Sequence, residues 1–243
     1  AGSDNWGGSG GGIYIFNSSP TILWSIVRNN FAWESGGGIF CRGSSSVLFN
    51  IKILNNSTTL TSNSRGGGMY CGYSSSPSLV NVEISGNSAT NGGGMTCANN
   101  GTILKSSIIH NNTALMNGGG LYIEGVVGTI TNVTITGNTA ADGDGGGIYC
   151  AYSDVNFEMI NSIVWNNSNS QISGGDGWSS NAGTILYSDI QGGWGGTDNI
   201  DSDPLFCNPD SGDHSLAENS PCIDAGDPSS PYDPDGTITD MGA

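Results

Sequence analysis

Apolar residues along this chain alternate with polar ones at a spacing of two, which is the period of β-strands and not of helices. In the block Gly-Gly-Gly-Ile-Phe-Cys, Ile39 and Cys41 fall on one face of a strand and Phe40 falls on the other. A second apolar run, within residues 129–138, changes phase near Asn132 and so predicts a bend. We therefore predict short strands in pairs, with no helix between them.

These strand blocks repeat. A Gly-Gly-Gly triplet followed by an apolar residue begins at positions 10, 36, 66, 92, 118 and 145, at spacings of 26, 30, 26, 26 and 27 residues. A period of this size is typical of stacked units that cannot bury their apolar faces alone. Parallel strands joined by turns and further strands coil into a β-helix, and parallel crossovers are strongly biased to the right hand. We predict an all-β, right-handed parallel β-helix, a solenoid of six to seven coils, over residues 1–200, with an irregular acidic cap over residues 201–243.

Stacking the coils in register predicts two columns of inward side chains. The first contains Ile13, Ile39, Met69, Met95, Leu121 and Ile148, and the second contains Ile15, Cys41, Cys71, Cys97, Ile123 and Cys150. Because Ile replaces Cys twice, we expect the second column to be a ladder of buried thiols. A disulfide between adjacent rungs is an alternative, whereas zinc is disfavoured because no His joins the column.

An outward column lies between these two and is mostly aromatic. Its members are Tyr14, Phe40, Tyr70, Thr96, Tyr122 and Tyr149. One interpretation is that exposed stacked rings stabilise one another. The other is a stripe that binds sugar rings or a neighbouring subunit, because contiguous exposed apolar surface usually marks an interface.

A column of asparagines closes the second strand of each coil. It contains Asn30, Asn56, Asn87, Asn112, Asn138 and Asn167. Asn tolerates the left-handed backbone of a tight corner, and stacked side-chain amides can hydrogen-bond from coil to coil. We expect a structural ladder.

The net charge excludes some classes of partner. The chain carries 21 acidic and 5 basic residues, a formal charge of −16, and no Lys or Arg follows Lys105. This charge repels phosphate backbones and anionic lipids, so we expect no nucleic-acid partner. No apolar run is long enough to span a bilayer, so we expect no membrane insertion by this segment. The composition and the Cys content suit an exported protein, and we expect an extracellular or cell-surface location.

Two features of the acidic C-terminal region carry candidate chemistry. Cys207 and Cys222 flank a 15-residue step in a Pro-rich segment, and we predict a disulfide between them. The string Asp-Pro-Asp-Gly-Thr-Ile-Thr-Asp is similar to a short calcium loop, in which alternating carboxylates surround a Gly at the turn. The candidate calcium ligands are Asp233, Asp235 and Asp240, with Asp224 and Asp227 from the preceding turn. The alternative is an acidic cap whose Asp side chains bond their own turns.

The glycine block with its Asn-ending second strand resembles the right-handed β-helix repeats of bacterial surface proteins, including polymorphic outer-membrane proteins. Residues 187–243, which begin YSDIQGGWGGTDNIDSDPLFCNPD, resemble the C-terminal part of exported β-helix proteins of the choice-of-anchor Q group. That resemblance implies secretion, a capped β-helix and frequently an anchoring segment. It implies no settled activity.

No catalytic set emerges from the sequence. The clustered Asp, His and Arg-Ile-Lys motifs of pectin-degrading β-helices are missing, and His110 and His214 have no nucleophile at a recognisable spacing. We expect a structural or adhesive rod, which assembles head-to-tail if its first coil is not sealed by Trp6. A carbohydrate-binding module is the second hypothesis, and a polysaccharide lyase or hydrolase is the third.

Overall fold

The computed structural model describes residues 8–61, 64–98, 101–175, 177–179 and 183–243, which form β-strands and one turn of 3-10 helix. The strands of the first half are β1 (Ile13–Phe16), β2 (Thr21–Leu23), β3 (Ile26–Arg28), β4 (Phe31–Ala32), β5 (Ile39–Arg42), β6 (Val47–Leu54), β7 (Ser57–Thr58), β8 (Met69–Gly72), β9 (Ser78–Ser85), β10 (Ser88–Ala89), β11 (Met95–Cys97), β12 (Ile103–His110) and β13 (Thr113–Ala114). Those of the second half are β14 (Leu121–Ile123), β15 (Val126–Thr136), β16 (Thr139–Ala140), β17 (Ile148–Cys150), β18 (Asn156–Ile160), β19 (Ile163–Trp165), β20 (Ile172–Gly174), β21 (Gly183–Leu186), β22 (Asp189–Ile190), β23 (Phe206–Asn208) and β24 (Asp213–Leu216). The 3-10 turn, Pro209–Ser211, connects β23 to β24.

Three parallel sheets form the walls of a spiral. The front sheet has the order β1-β5-β8-β11-β14-β17-β20, and the narrow sheet has the order β4-β7-β10-β13-β16. The bent sheet has the order β2-β6-β9-β12-β15-β18-β21, with β3 beside β6 and β19 between β15 and β22. Seven strands in the front sheet correspond to seven coils, which confirms the predicted parallel β-helix.

We number coils 1 to 6 from the residue before each glycine triplet, and coil 7, which has no triplet, from Ser170. Coils 1 to 7 span residues 9–34, 35–64, 65–90, 91–116, 117–143, 144–169 and 170–200. The register follows the sequence alignment, since Ile39 pairs with Met69 and Met69 with Met95. Both inward columns are buried from coil 2 to coil 6, and the Cys residues of the second column are free thiols. The predicted thiol ladder is therefore present, without a disulfide between its rungs.

The glycine triplets are required by backbone geometry. Gly66, the first residue of its triplet, has a φ of +64°, a left-handed conformation that Gly adopts without steric cost. A Cβ atom on Gly67 would lie 2.5 Å from the carbonyl oxygens of Gly93 and Ser88. The coils approach each other so closely here that a side chain has no room.

The asparagine ladder is present, but its corner chemistry belongs to the preceding residue. Asn87 donates its backbone N–H and its side-chain amide to Asn112 Oδ1, at 3.0 and 2.9 Å, and Asn112 repeats this with Asn138. The left-handed positions come one residue earlier, at Asn29, Asn55, Gly86, Asn111, Gly137 and Asn166. The ladder asparagines therefore serve as hydrogen-bonding groups, and the expectation that they adopt the left-handed region is wrong.

A second set of left-handed residues bends the strands of the bent sheet. It contains Trp24, Asn50, Asn81, Ser106, Asn132, Asn161 and Tyr187, one from each coil, which we call the bend column. In β6 the phase change at Asn50 lets Leu48, Ile51 and Ile53 all face the core. The bend predicted near Asn132 is thus a feature of every coil.

The C-terminal tail, residues 201–243, follows the last bridge of the spiral, between Asp189 and Ile200. After the β23-β24 hairpin it runs back along the flank of the bent sheet. Its Gly242 N–H donates to Asn161 O at 2.8 Å, and its Ala243 N–H donates to Thr134 Oγ1 at 3.0 Å. The tail thus reaches coil 5, instead of covering only the end of the spiral as a simple cap would.

Candidate binding site on the front sheet

The outward aromatic column of the front sheet stacks ring on ring in two groups. Phe40 lies between Tyr14 and Tyr70, with ring centroids 5.1 and 5.0 Å away and nearly parallel planes. Tyr122 and Tyr149 stack at 5.5 Å. The column members therefore lie where the sequence alignment places them, on the side of the sheet opposite the thiol ladder.

Most of this column is not exposed, which corrects the prediction of an open stripe. Phe40 is fully buried, Tyr70 and Tyr122 are buried, and Tyr149 is half-buried, whereas Tyr14 is exposed. At Tyr70 the cause is the small residue two positions later. A Cβ atom on Gly72 would lie 2.8 Å from the Tyr70 hydroxyl, so the Tyr70 ring lies over this glycine and not in solvent.

Thr96 interrupts the column in coil 4, and an ion pair crosses that coil. Arg65 Nη1, from coil 3, lies 2.7 Å from Glu124 Oε2, from coil 5. Glu124 is only 5% exposed, and Arg65 lies with its Cζ atom 5.9 Å from the centre of the Tyr122 ring. Arg65 Nε and Glu124 Oε1 are buried without a hydrogen-bond partner within the described part of the chain. Unpaired buried polar atoms are costly, so a ligand that paired with them would stabilise the site.

A cleft of about 450 Å³ opens beside this ion pair; we call it the front cleft. Its lining residues are Arg65, Tyr70, Tyr73, Ser74, Ala98, Glu124 and Tyr152. Tyr73 and Tyr152 are exposed at its mouth. Arg42 lies 4.9 Å from the Tyr73 ring, a cation–π contact that holds this ring in place.

Burial raises the pKa values of acidic groups in the front cleft and in the ring column beside it. It raises the pKa of Glu124, although Arg65 opposes the shift. It raises the pKa of Tyr122 to about 12 and that of Tyr70 further. The tyrosine hydroxyls are therefore hydrogen-bond donors over the whole neutral range of pH.

The backbone at one wall of the front cleft is strained. Tyr73 and Ser74 have φ angles of +56° and +62°, two successive left-handed residues that are not Gly or Asn. Such strain persists where the surroundings hold it and concentrates at binding sites. Here it turns the Tyr73 ring toward Arg42.

Sequence reasoning found Tyr70, Tyr122 and Tyr149 but missed Arg65, Glu124, Tyr73 and Tyr152. One signal was available. The outward column two residues after the aromatic one reads Phe16, Arg42, Gly72, Ala98, Glu124 and Ala151 in the same alignment. This position is charged in coils 2 and 5 and is Gly or Ala in coils 3, 4 and 6, which indicates a polar site beside the rings.

The predicted calcium site is not assembled. Within the described residues, no three Asp, Glu, His or Cys side chains come close enough to hold a metal ion. The carboxylates instead accept hydrogen bonds within the tail: Asp235 from Thr237 in its own turn, Asp233 from the Asp240 N–H, and Asp240 from the Asp224 N–H. Asp227 does the same with Ser229. The alternative interpretation, an acidic segment that bonds its own turns, is the one that matches this geometry.

The predicted disulfide between Cys207 and Cys222 is not formed. Cys207 is exposed on β23, while Cys222 is fully buried, and both are free thiols. Cys222 Sγ donates to Asp189 Oδ2 at 3.3 Å, and it packs beside Ile163 and Met241. The two cysteines, 15 residues apart, therefore have different environments: Cys207 is exposed, and Cys222 fixes the tail to coil 7.

The two histidines, far apart in sequence, meet between the tail and the coils. The rings of His110 and His214 lie 4.7 Å apart, and His110 Nε2 is 3.4 Å from Glu83 Oε1. No Ser or Cys nucleophile accompanies them in these contacts. The proposed seal of the first coil by Trp6 lies outside the described residues.

Comparisons with known proteins agree with this architecture. The model of a family described as the right-handed beta helix region matches residues 7–189. The search of curated proteins and the search of solved structures each found no match. Among the described residues, no helix has the length and hydropathy needed to cross a membrane.

Proposed function

Since this chain belongs to the right-handed β-helix family, its stacked coils are a scaffold, and we propose that it is a non-catalytic extracellular or cell-surface protein that adheres to a polysaccharide through the front cleft. The fold alone does not determine function, because β-helices serve both enzymes and binding proteins. The observation that carries the proposal is the ion pair between half-buried Arg65 and buried Glu124, with its two unpaired polar atoms, in a cleft lined by three tyrosines.

The charges of the front cleft favour a neutral, hydroxylated ring as ligand. Arg42 and Arg65 disfavour a cation, and buried Glu124 disfavours an anion. The C–H face of a pyranose packs on an aromatic ring, and its hydroxyls pair with charged groups and with tyrosine hydroxyls. A neutral sugar unit therefore suits the front cleft better than a phosphate or an amine.

Calorimetric titration with hexasaccharides of neutral glucan, mannan and galactan tests this proposal. We expect one of these sugars to bind, and we expect Glu124→Gln and Tyr152→Ala to weaken binding at least tenfold. Tyr232→Ala removes a similarly exposed tyrosine from the tail and serves as the matched control. Binding that is unchanged in Glu124→Gln, or no binding by any of the three sugars, contradicts the proposal.

A polysaccharide lyase or hydrolase is the alternative on the same scaffold. We expect no product from pectin, polygalacturonate or alginate incubated with the purified protein, since Arg65 and Glu124, the charged groups that line the front cleft, are engaged with each other in an ion pair. Product release that disappears in Glu124→Gln would assign catalysis instead of adhesion.

Self-association is a second proposal, supported by the outward residues of coil 1. Large apolar side chains are exposed there, namely Tyr14, Phe16, Leu23, Trp24, Ile26, Phe31 and Trp33. The register partners of Ile26 and Phe31 in coil 2 are the polar Lys52 and Ser57. At the other end, Trp178 and Trp194 pack against the last part of the core, which disfavours the head-to-tail addition expected from sequence.

Sedimentation velocity over a hundredfold range of concentration tests self-association. We expect a dimer that Ile26→Lys and Phe31→Ser weaken, because these changes introduce the residues that coil 2 carries at the same register. A protein that is monomeric throughout the range contradicts this second proposal, and continuous fibres restore the head-to-tail model.

A further inference from the structure

The bend column already binds polypeptide over part of its length. In coil 5, Asn132 Nδ2 donates to the Asp240 carbonyl at 3.1 Å. In coil 6, Asn161 Oδ1 accepts the Asp227 N–H at 2.7 Å, and its carbonyl accepts the Gly242 N–H. Two successive asparagines of the column thus hold the main chain of the tail through a side-chain donor and a side-chain acceptor.

Toward the N-terminus the same column continues beyond the tail. Its next members are Ser106, Asn81 and Asn50, in coils 4, 3 and 2, and they line a groove of about 470 Å³. Asn50 and Asn81 hydrogen-bond to each other through their side chains, as neighbouring rungs do in the buried ladder. The bend geometry that holds the tail is therefore repeated in coils 2 to 4, with Asn in two of them.

The groove has distinct ends and sides. Ala243, with His214 and Ser215, borders it at the tail, and Trp24 of coil 1, which is 76% exposed, borders it at the other end. Along one side, Lys52 Nζ and Glu83 Oε2 form an ion pair at 2.6 Å, so the positive and negative charges on this side cancel. From coil 1 to coil 4 the groove spans three coil spacings, about 14 Å, which fits four or five residues of extended chain.

We propose that the bend column of coils 1 to 4 is a binding track for an extended peptide of four or five residues with an apolar side chain for Trp24. Side-chain amides match the alternating N–H and C=O groups of a peptide, and the tail of this protein displays that match one coil away. The charge compensation by Lys52 and Glu83 favours an uncharged segment. This track lies on the bent sheet and does not depend on the sugar site of the front sheet.

The test uses the intact protein and a blocked heptapeptide that copies residues 237–243, the end of the segment that the column already holds, with Asp240→Asn so that the peptide carries no charge. Two-dimensional NMR of the labelled protein follows the titration. We expect saturable shifts at Asn50, Asn81 and the Trp24 indole. Asn81→Gly and Trp24→Asn should each weaken binding at least tenfold, and both preserve a left-handed backbone.

Asn55→Gly is the matched control. It makes the same substitution at an exposed left-handed residue outside the groove, where coil 3 has Gly86. We expect it to leave the affinity unchanged. The proposal is overturned if the peptide produces no saturable shift, if the shifts fall at Thr134 and Asn161 because the peptide displaces the tail, or if a neutral hexasaccharide shifts the groove residues and the peptide does not.

Discussion

At the scale of single residues, the asparagine ladder shows how buried polar groups can strengthen a solenoid. Asn112 is fully buried, yet all its side-chain groups are used. Its Oδ1 accepts two hydrogen bonds from Asn87, and its Nδ2 donates to the Ile84 carbonyl and to Asn138 Oδ1. A buried amide with these partners stabilises the stacking, whereas its removal leaves several groups unpaired.

We predict that Asn112→Ala lowers the free energy of unfolding by about 2–4 kcal/mol, because Asn87 and the Ile84 carbonyl lose their partners in a dry environment. Urea denaturation followed by circular dichroism measures this. Asn156→Ala, at an exposed position of β18, is the control and should change stability by less than about 0.5 kcal/mol. Equal effects of the two substitutions would show that the ladder contributes nothing specific.

At the scale of elements, strand β22 and the tail are joined through a buried carboxylate. Asp189 Oδ1 accepts the Ser202 N–H, and its Oδ2 accepts the Cys222 thiol. Burial raises the pKa of Asp189 from 3.8 to about 6, and the hydrogen bond from Ser202 opposes this only in part. Between these two values the folded protein binds a proton that the unfolded chain does not, so stability increases as the pH falls through 6.

Asp189→Asn should remove this pH dependence. Between pH 7 and pH 4 the wild type should gain up to about 3 kcal/mol from this group, at about 1.4 kcal/mol for each unit of pKa, and the variant should not. Urea denaturation at both pH values measures the difference. Asp210→Asn, an exposed carboxylate in the hairpin, should follow the wild type. A variant with the wild-type pH profile would mean that Asp189 ionises normally in the folded state.

Sequence reasoning predicted the elements well because the glycine triplets fix the register. Once Gly66 and Gly92 are aligned, the partners of Met69 and Cys71 follow without further information. Burial of the outward rings did not follow, because it depends on how the Tyr70 side chain lies over Gly72 and on an ion pair between residues 59 positions apart. The path of the tail did not follow either, since periodicity says nothing about contacts such as that of Ala243 with Thr134.

At the scale of the whole molecule, the coils form a continuous stack that the tail supports on one side. Contacts in a solenoid are made mainly between neighbouring coils. The stability of each coil therefore depends mostly on the coils next to it. Met241, which is buried against Ile163 and Cys222, holds the last part of the tail in place. Coils 5 to 7 therefore depend on the tail more than coils 2 and 3 do.

Met241→Ala should cost about 2–5 kcal/mol and release the tail. Hydrogen exchange should show amide protection reduced in coils 5 to 7 and retained in coils 2 and 3. Met116→Ala, at an exposed position, is the control and should leave both regions unchanged. Uniform loss of protection along the stack would mean that the molecule unfolds as one unit.

The position of Ala243 determines which part of the spiral a label attached to this residue reports on. Its N–H is bonded to Thr134 in coil 5, on the bent sheet, well away from either extremity of the spiral. A label attached to Ala243 therefore lies beside coil 5. The face that carries Tyr152 and Arg65 is a different wall of the spiral, so a label at this residue leaves the front cleft uncovered.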